Sequence, residues 1–220
     1  MNAPFTDRRH AGQLLARKLL TYSRRDDVSV LALPRGGVPV ALEVAECLEA
    51  PLDIFVVRKL GLPGHEEFAM GAVASGGIRV LNQEVIQKLR IPAAVIEAVT
   101  ESEFSELHRR ERVYGAGRPV RSFAGRVVII VDDGMATGSS MEAAVAALRE
   151  HNPARIVVAV PVTAVDTFAR FSRIADEIVA VITPEPLSSV GEWYDSFPQL
   201  SDEDVHTLLA HAKHATSTTG

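Results

Sequence analysis

Cysteine is almost absent from this 220-residue chain: Cys47 stands alone, so neither an intrachain disulfide nor a cysteine-clustered zinc site can be built. Long apolar runs are missing too. None approaches the roughly 20 residues that span a bilayer, which argues against membrane insertion. The opening stretch MNAPFTDRRHAGQLLARKLL carries early charges and no apolar signal core, so a cytoplasmic protein is expected. Positive charge is in deficit, with a formal net charge of -5. That balance argues against a general nucleic-acid binder, which accumulates Lys and Arg. The basic runs DRRH and HRRERVYGAGR are candidate local basic patches, with solvated helix ends the plainer reading.

What is present is ordinary for a globular protein: 47% hydrophobic and 23% charged residues, in a length that suits one core. Apolar spacing over residues 7 to 20 predicts an amphipathic helix. VSVLAL, Val28 to Leu33, predicts a buried strand; Val38 to Leu48 follows as a helix, and LDIFVV, Leu52 to Val57, as a second buried strand. Arg58 to Gly77 is rich in glycine, with short strands at FAMGAVA and IRVLN as the candidates. A long helix is expected from Pro92 to about Tyr114, broken by GAGRP. The strand Val127 to Val131, a helix from about Ser139 to Arg149, and the strands RIVVAVPV and EIVAVI continue the alternation. LSDEDV then caps a short final helix before a polar end. The class expected is α/β, with a doubly wound, mostly parallel sheet.

VVIIVDDGMATGSS, Val127 to Ser140, runs a buried strand into Asp132 and Asp133 and then into a bare turn that opens a helix. In a parallel sheet, ligands bind beyond the carboxyl ends of the strands. A helix start with free N–H groups suits a phosphate, so Ala136, Thr137, Gly138, Ser139 and Ser140 form a candidate anion site. Two carboxylates beside a phosphate would repel it unless they grip hydroxyls or a divalent cation. A sugar phosphate meets both conditions. The turn lacks the lysine of G-x-x-x-x-G-K-[ST], and G-x-G-x-x-G is missing as well. The plainer alternative is a helix cap with solvated aspartates.

This segment resembles the phosphoribosyl-diphosphate (PRPP) signature of the type I phosphoribosyltransferases, matching at Asp132, Asp133, Met135, Ala136, Thr137, Gly138 and Ser140. Gly134 departs from it, standing where the family usually has a larger apolar residue, so a more mobile loop is expected. The resemblance implies that Ala136 to Ser140 hold the 5-phosphate, and that Asp132 and Asp133 hold the ribose hydroxyls with Mg²⁺. ALPRGGVPVA resembles the pyrophosphate loop of the same family; there Gly36 and Gly37 expose N–H groups and Arg35 can grip a phosphate. Arg58 and Lys59, placed at the end of the second strand, would balance the donor's charge, and Lys59 to Ala74 matches the family's flexible lid. Charges that merely guard a strand edge are the alternative.

Ala136 stands where the 6-oxopurine branch has an aspartate, which disfavours a guanine- or hypoxanthine-type enzyme. Trp193 and Tyr194, with Phe197, offer an aromatic platform for an acceptor ring, the alternative being core packing. LPRGG, VRKLG, DDGMATG and WYDSF together are similar to a poorly characterised group of phosphoribosyltransferases. The expected protein is one domain over residues 1 to 220, with hood elements from the N-terminal segment and about 184 to 212 and a disordered tail at 213 to 220. The resemblance implies transfer from Mg²⁺-PRPP to a nitrogenous acceptor, in a chain that could form a homodimer. A PRPP or nucleotide sensor without chemistry, and a phosphatase or kinase-like enzyme using Asp132 as nucleophile, are the rivals.

Overall fold

Val28–Ala32 and Val127–Val131 are apolar at nearly every position, and strands of that kind are stable only where both faces are covered. A computed structural model describes residues 4–114 and 122–217. In it the two runs are β1 and β6, paired in parallel from Val28 opposite Val127 to Ala32 opposite Val131. β2 (Leu52–Ile54), β7 (Arg155–Val162) and β8 (Glu177–Ile182) complete a parallel sheet of order β2-β1-β6-β7-β8.

Helices cover both faces. On one side Val30, Ile129, Val131 and Val157 pack with Leu15 of α1 (Arg8–Lys18) and with Val40 and Val44 of α2 (Gly37–Leu48). On the other, Leu31, Val128, Ile130 and Val158 pack with Met141 and Leu148 of α5 (Ser139–Arg149) and Phe171 of α6 (Val165–Ile174). The expected doubly wound α/β class is therefore the fold. Among the described residues no helix is long and apolar enough to cross a membrane.

LDIFVV divides, although its pattern predicts one strand. β2 stops at Ile54, and Val57 begins β3 (Val57–Leu62) of a separate antiparallel sheet, with β4 (His65–Ala74) and β5 (Ile78–Leu81). Phe55 still donates its N–H to Ala32 O (3.0 Å), whereas Val56 is held by Ser75, whose Oγ accepts from Val56 N and whose N donates to Val56 O, both at 2.9 Å. That double contact turns the chain from one sheet to the other. The flexible lid expected over Lys59 to Ala74 is thus a hairpin of paired strands. Arg58 and Lys59 lie in its first strand, not at the end of a strand of the parallel sheet.

Two helices go beyond those expected. α3 (Gln83–Leu89) is a short helix capped by Asn82, whose side chain accepts from Val85 N at 3.1 Å. α6 carries a clear helical stripe, Val165, Phe168, Phe171 and Ile174, lying between two runs that read as successive strands. α4 (Ala93–Val113) matches its expectation, while the GAGRP break lies outside the described residues. α7 (Asp202–Ser217) runs further than expected, so 213–217 are helical rather than a disordered tail; 218–220 lie outside the described residues.

Phe171 is fully buried beneath the phosphate-loop candidate, where a Cβ added to Gly138 would stand 2.5 Å from its Cε2. Phe171→Ala should lower unfolding stability by about 3–5 kcal/mol in urea titrations.

Candidate functional site

Because β1 and β6 end level, the loops that follow them emerge side by side. Leu33 N donates to Val131 O at 2.9 Å and seals the junction. Beyond it there is no room for a side chain. A Cβ on Gly36 would lie 2.0 Å from Asp133 Oδ2, and one on Gly37 would lie 2.6 Å from Val131 O. The Gly37 N–H is bonded to Leu33 O (3.1 Å), so of the two glycine amides expected to face an anion only that of Gly36 is free among the described residues. The Pro34–Arg35 peptide is cis. Arg35 is half-buried and forms no ion pair with a described residue.

The second loop is braced from behind. Met135 N donates to Val162 O (2.8 Å), Thr167 Oγ1 to Ala136 O (2.6 Å), and the Arg170 guanidinium to Thr137 O. With the carbonyls held toward β7 and α6, the N–H groups of Ala136 to Met141 have no acceptor among the described residues. Gly138, at φ 71°, is the residue before α5, so this amide row coincides with the positive end of a helix. Gly134 is not slack. A Cβ there would meet Val190 Cγ1 at 2.4 Å and Val162 Cγ1 at 2.9 Å, so these two valines fill the volume that a side chain at 134 would need.

A cleft of about 230 Å³ opens at this edge. Asp132 and Ser140 line it from the second loop, and Arg58, Lys59 and Arg110 from β3 and α4. Lys59 Nζ donates to Ser139 Oγ at 3.2 Å, and Arg58 Nε donates to Glu103 Oε2 at 2.7 Å. Arg110 sits in a helix stretch whose charges read as a solvated face, and no local pattern marks it.

The two aspartates have different surroundings. Asp132 Oδ1 accepts the Asp133 N–H (2.8 Å), and among the described residues the carboxylate faces the cleft without an ion-pair partner. Burial, with the Asp133 charge beside it, pushes the Asp132 carboxyl well above the usual carboxylate range. Burial raises Asp133 as well, but Arg8 opposes it: Arg8 Nε donates to Asp133 Oδ2 at 2.8 Å, with the two side chains 9% and 15% exposed. Arg8 also donates to Pro198 O (2.8 Å) and lies 3.7 Å over the Phe197 ring. DRRH reads as a solvated end in the sequence, yet its first arginine is buried.

The aromatic platform is placed differently from expectation. Tyr194 is 6% exposed, packed between Phe5 and Phe197 with ring centroids 5.2 and 4.8 Å away, and its hydroxyl donates to the Asp133 carbonyl. Trp193 is half-buried in the same cluster, and neither residue lines the cleft. Such rings pack more favourably against one another than against water. Here Tyr194 fastens the acid pair through the Asp133 carbonyl, and Phe197 underlies Arg8.

Among the described residues no group of three or more His, Cys, Asp and Glu gathers as a metal cage. Asp132 suits a cation that arrives on a phosphate ligand and keeps most of its waters. Asp133, expected as the second metal contact, has Oδ2 engaged by Arg8.

Two variants separate the acids. Arg8→Ala leaves Asp133 buried without its partner and should lower stability by about 3 kcal/mol in urea titrations, with Arg8→Lys recovering part of the loss. Asp132→Asn should raise Tm by roughly 2–6 °C near pH 8. A carboxyl whose pKa is raised on folding destabilises the fold where it is ionised. The gain from asparagine should therefore be full at alkaline pH and fade as pH falls through the raised pKa, which calorimetric scans against pH would follow.

The family model described as "Phosphoribosyl transferase domain" matches residues 7–185. Provisionally named phosphoribosyl transferases from two Mycobacterium tuberculosis strains, CDC 1551 / Oshkosh and H37Rv, are each 45% identical over 208 residues, 94% of this chain and 47% of each relative. The chain spans about half the length of these curated relatives. A crystal structure of a Thermus thermophilus protein aligns with 94% of this chain and 98% of its own, at 42% identity and a TM-score of 0.84. On these matches and this fold, the chain belongs to the phosphoribosyl transferase domain family, a family of transferase enzymes.

Proposed function

We propose that this domain transfers ribose 5-phosphate from PRPP to a nitrogenous acceptor, a nucleobase or a related compound, and releases pyrophosphate. The observation that carries the reading is the row of amides from Ala136 to Met141, without acceptors among the described residues, at a helix start, with Asp132 beside it and Arg58 and Lys59 in the same cleft. Few ligands need a phosphate cradle, a hydroxyl acceptor and polyanion-binding cations together, and an activated ribose phosphate needs all three.

The 5-phosphate takes the amides of Ala136 to Ser140, with the hydroxyls of Thr137, Ser139 and Ser140 as further donors. Asp132 accepts hydrogen bonds from the ribose hydroxyls, and Asp133, clamped by Arg8, fixes the place of its neighbour. The diphosphate extends toward the Gly36 amide, Arg35, Arg58 and Lys59. As the bond from the anomeric carbon to pyrophosphate breaks, the acceptor nitrogen forms its bond to that carbon and loses a proton. Positive charge develops on the sugar and negative charge on the leaving group. The fixed cations stabilise the latter at little reorganisation cost, because Lys59 and Arg58 are already held by Ser139 and Glu103. Mg²⁺, bound with the donor's diphosphate, would add charge neutralisation on the leaving group, with Asp132 the residue nearest to receive it.

Calorimetry with PRPP and Mg²⁺, followed by a pyrophosphate-release screen across nucleobases and related acceptors, tests this reading. Binding and release are expected. Absence of PRPP binding would remove the proposal, and binding without turnover on any acceptor would favour a sensor. Asp132→Asn should cut turnover about a hundredfold or more while the fold persists, since hydroxyl positioning is lost.

A further inference from the structure

We infer that Arg110 of α4 pairs with Arg58 to form a guanidinium clamp that selects a diphosphate over a monophosphate. The inference rests on the reading above and assigns a residue that neither the loop motifs nor the hairpin supplies.

Both arginines line the cleft and both are about 70% withdrawn from solvent, at 30% and 29% side-chain exposure. They are also held in the same manner. Arg58 donates through Nε to Glu103 (2.7 Å), and Arg110 donates through Nε to Glu106 (2.8 Å). Each carboxylate comes from α4, so one helix orients both guanidiniums. In each case the terminal nitrogens Nη1 and Nη2 have no acceptor among the described residues. A guanidinium fixed at Nε presents its remaining N–H pair as a fork suited to phosphate oxygens.

The far end of α4 is braced as well. Glu106 also takes Arg109, at 2.7 Å, and Arg109 reaches Asp202 at the start of α7. The Tyr114 hydroxyl donates to the same Asp202 at 2.8 Å. Side chains ordered beforehand lose less freedom when a ligand arrives, which strengthens binding without further contacts. Two forks across one cleft can engage both phosphoryl groups of a diphosphate. A monophosphate has one phosphoryl group, so once seated on the Ala136–Ser140 amides it has no second one to offer the two forks.

The test is calorimetry of the full chain with three probes: Mg²⁺-pyrophosphate, PRPP and ribose 5-phosphate. Arg110→Ala should weaken pyrophosphate and PRPP about tenfold and leave ribose 5-phosphate unchanged. Arg110→Lys should recover only part, because an ammonium lacks the fork. Arg112→Ala, which removes an exposed arginine of the same helix outside this network, should alter none of the three. Should Arg110→Ala fail to fold, Arg110→Gln serves in its place. Equal losses for pyrophosphate and ribose 5-phosphate, or no loss of pyrophosphate affinity, would overturn the clamp while leaving the donor reading in place. A wild-type chain that binds neither PRPP nor ribose 5-phosphate would overturn both.

Discussion

The level ending of β1 and β6 is the constraint on which the cleft depends. It brings a glycine turn and an acid pair so close that Gly36 cannot carry a side chain without striking Asp133. The motifs LPRGG and DDGMATG are remote in sequence but form one packed unit. The glycines are needed as much by the neighbouring loop as by any ligand.

Charge is distributed in a way that the overall balance conceals. The chain is acidic in sum, yet the cleft gathers Arg58, Lys59 and Arg110 around Asp132, which has no ion-pair partner among the described residues. The second aspartate is neutralised from outside the cleft by Arg8, which is itself stacked on Phe197 and bonded to Pro198. Segments close to both chain ends therefore support the centre of the site. Phe5 N donates to Trp193 O and Asp195 N to Phe5 O, so these segments are stitched to each other before they reach the acid pair.

Much of the architecture was legible because its signals are local. β1, β6 and β7 are apolar runs bounded by turns, and α5 follows its loop with an amphipathic spacing. The hand-over at Phe55 and Val56 was not legible, because an apolar run looks the same whether it stays in one sheet or passes into another; only the Ser75 contact reveals it. α6 has a helical stripe of its own, but it is short and lies between the apolar runs of β7 and β8, and the bracing of the loop by Thr167 and Arg170 shows only in the tertiary contacts. The aromatic cluster around Trp193 was visible as composition, but which way a ring points is set by tertiary packing. Tyr194 turns inward because Phe5, Phe197 and the Asp133 carbonyl together offer it a complete environment.

Val190 has a wider meaning for how the signature loop can vary. Its methyl groups occupy the space that a side chain at 134 would need, although 134 and 190 belong to different segments of the chain. The two positions exchange volume: a bulky residue at one is compatible with this packing only where the other is small. A larger residue at 134 would therefore need Val190 after β8, and Val162 within β7, to give way, so a change inside the signature cannot be judged conservative by itself.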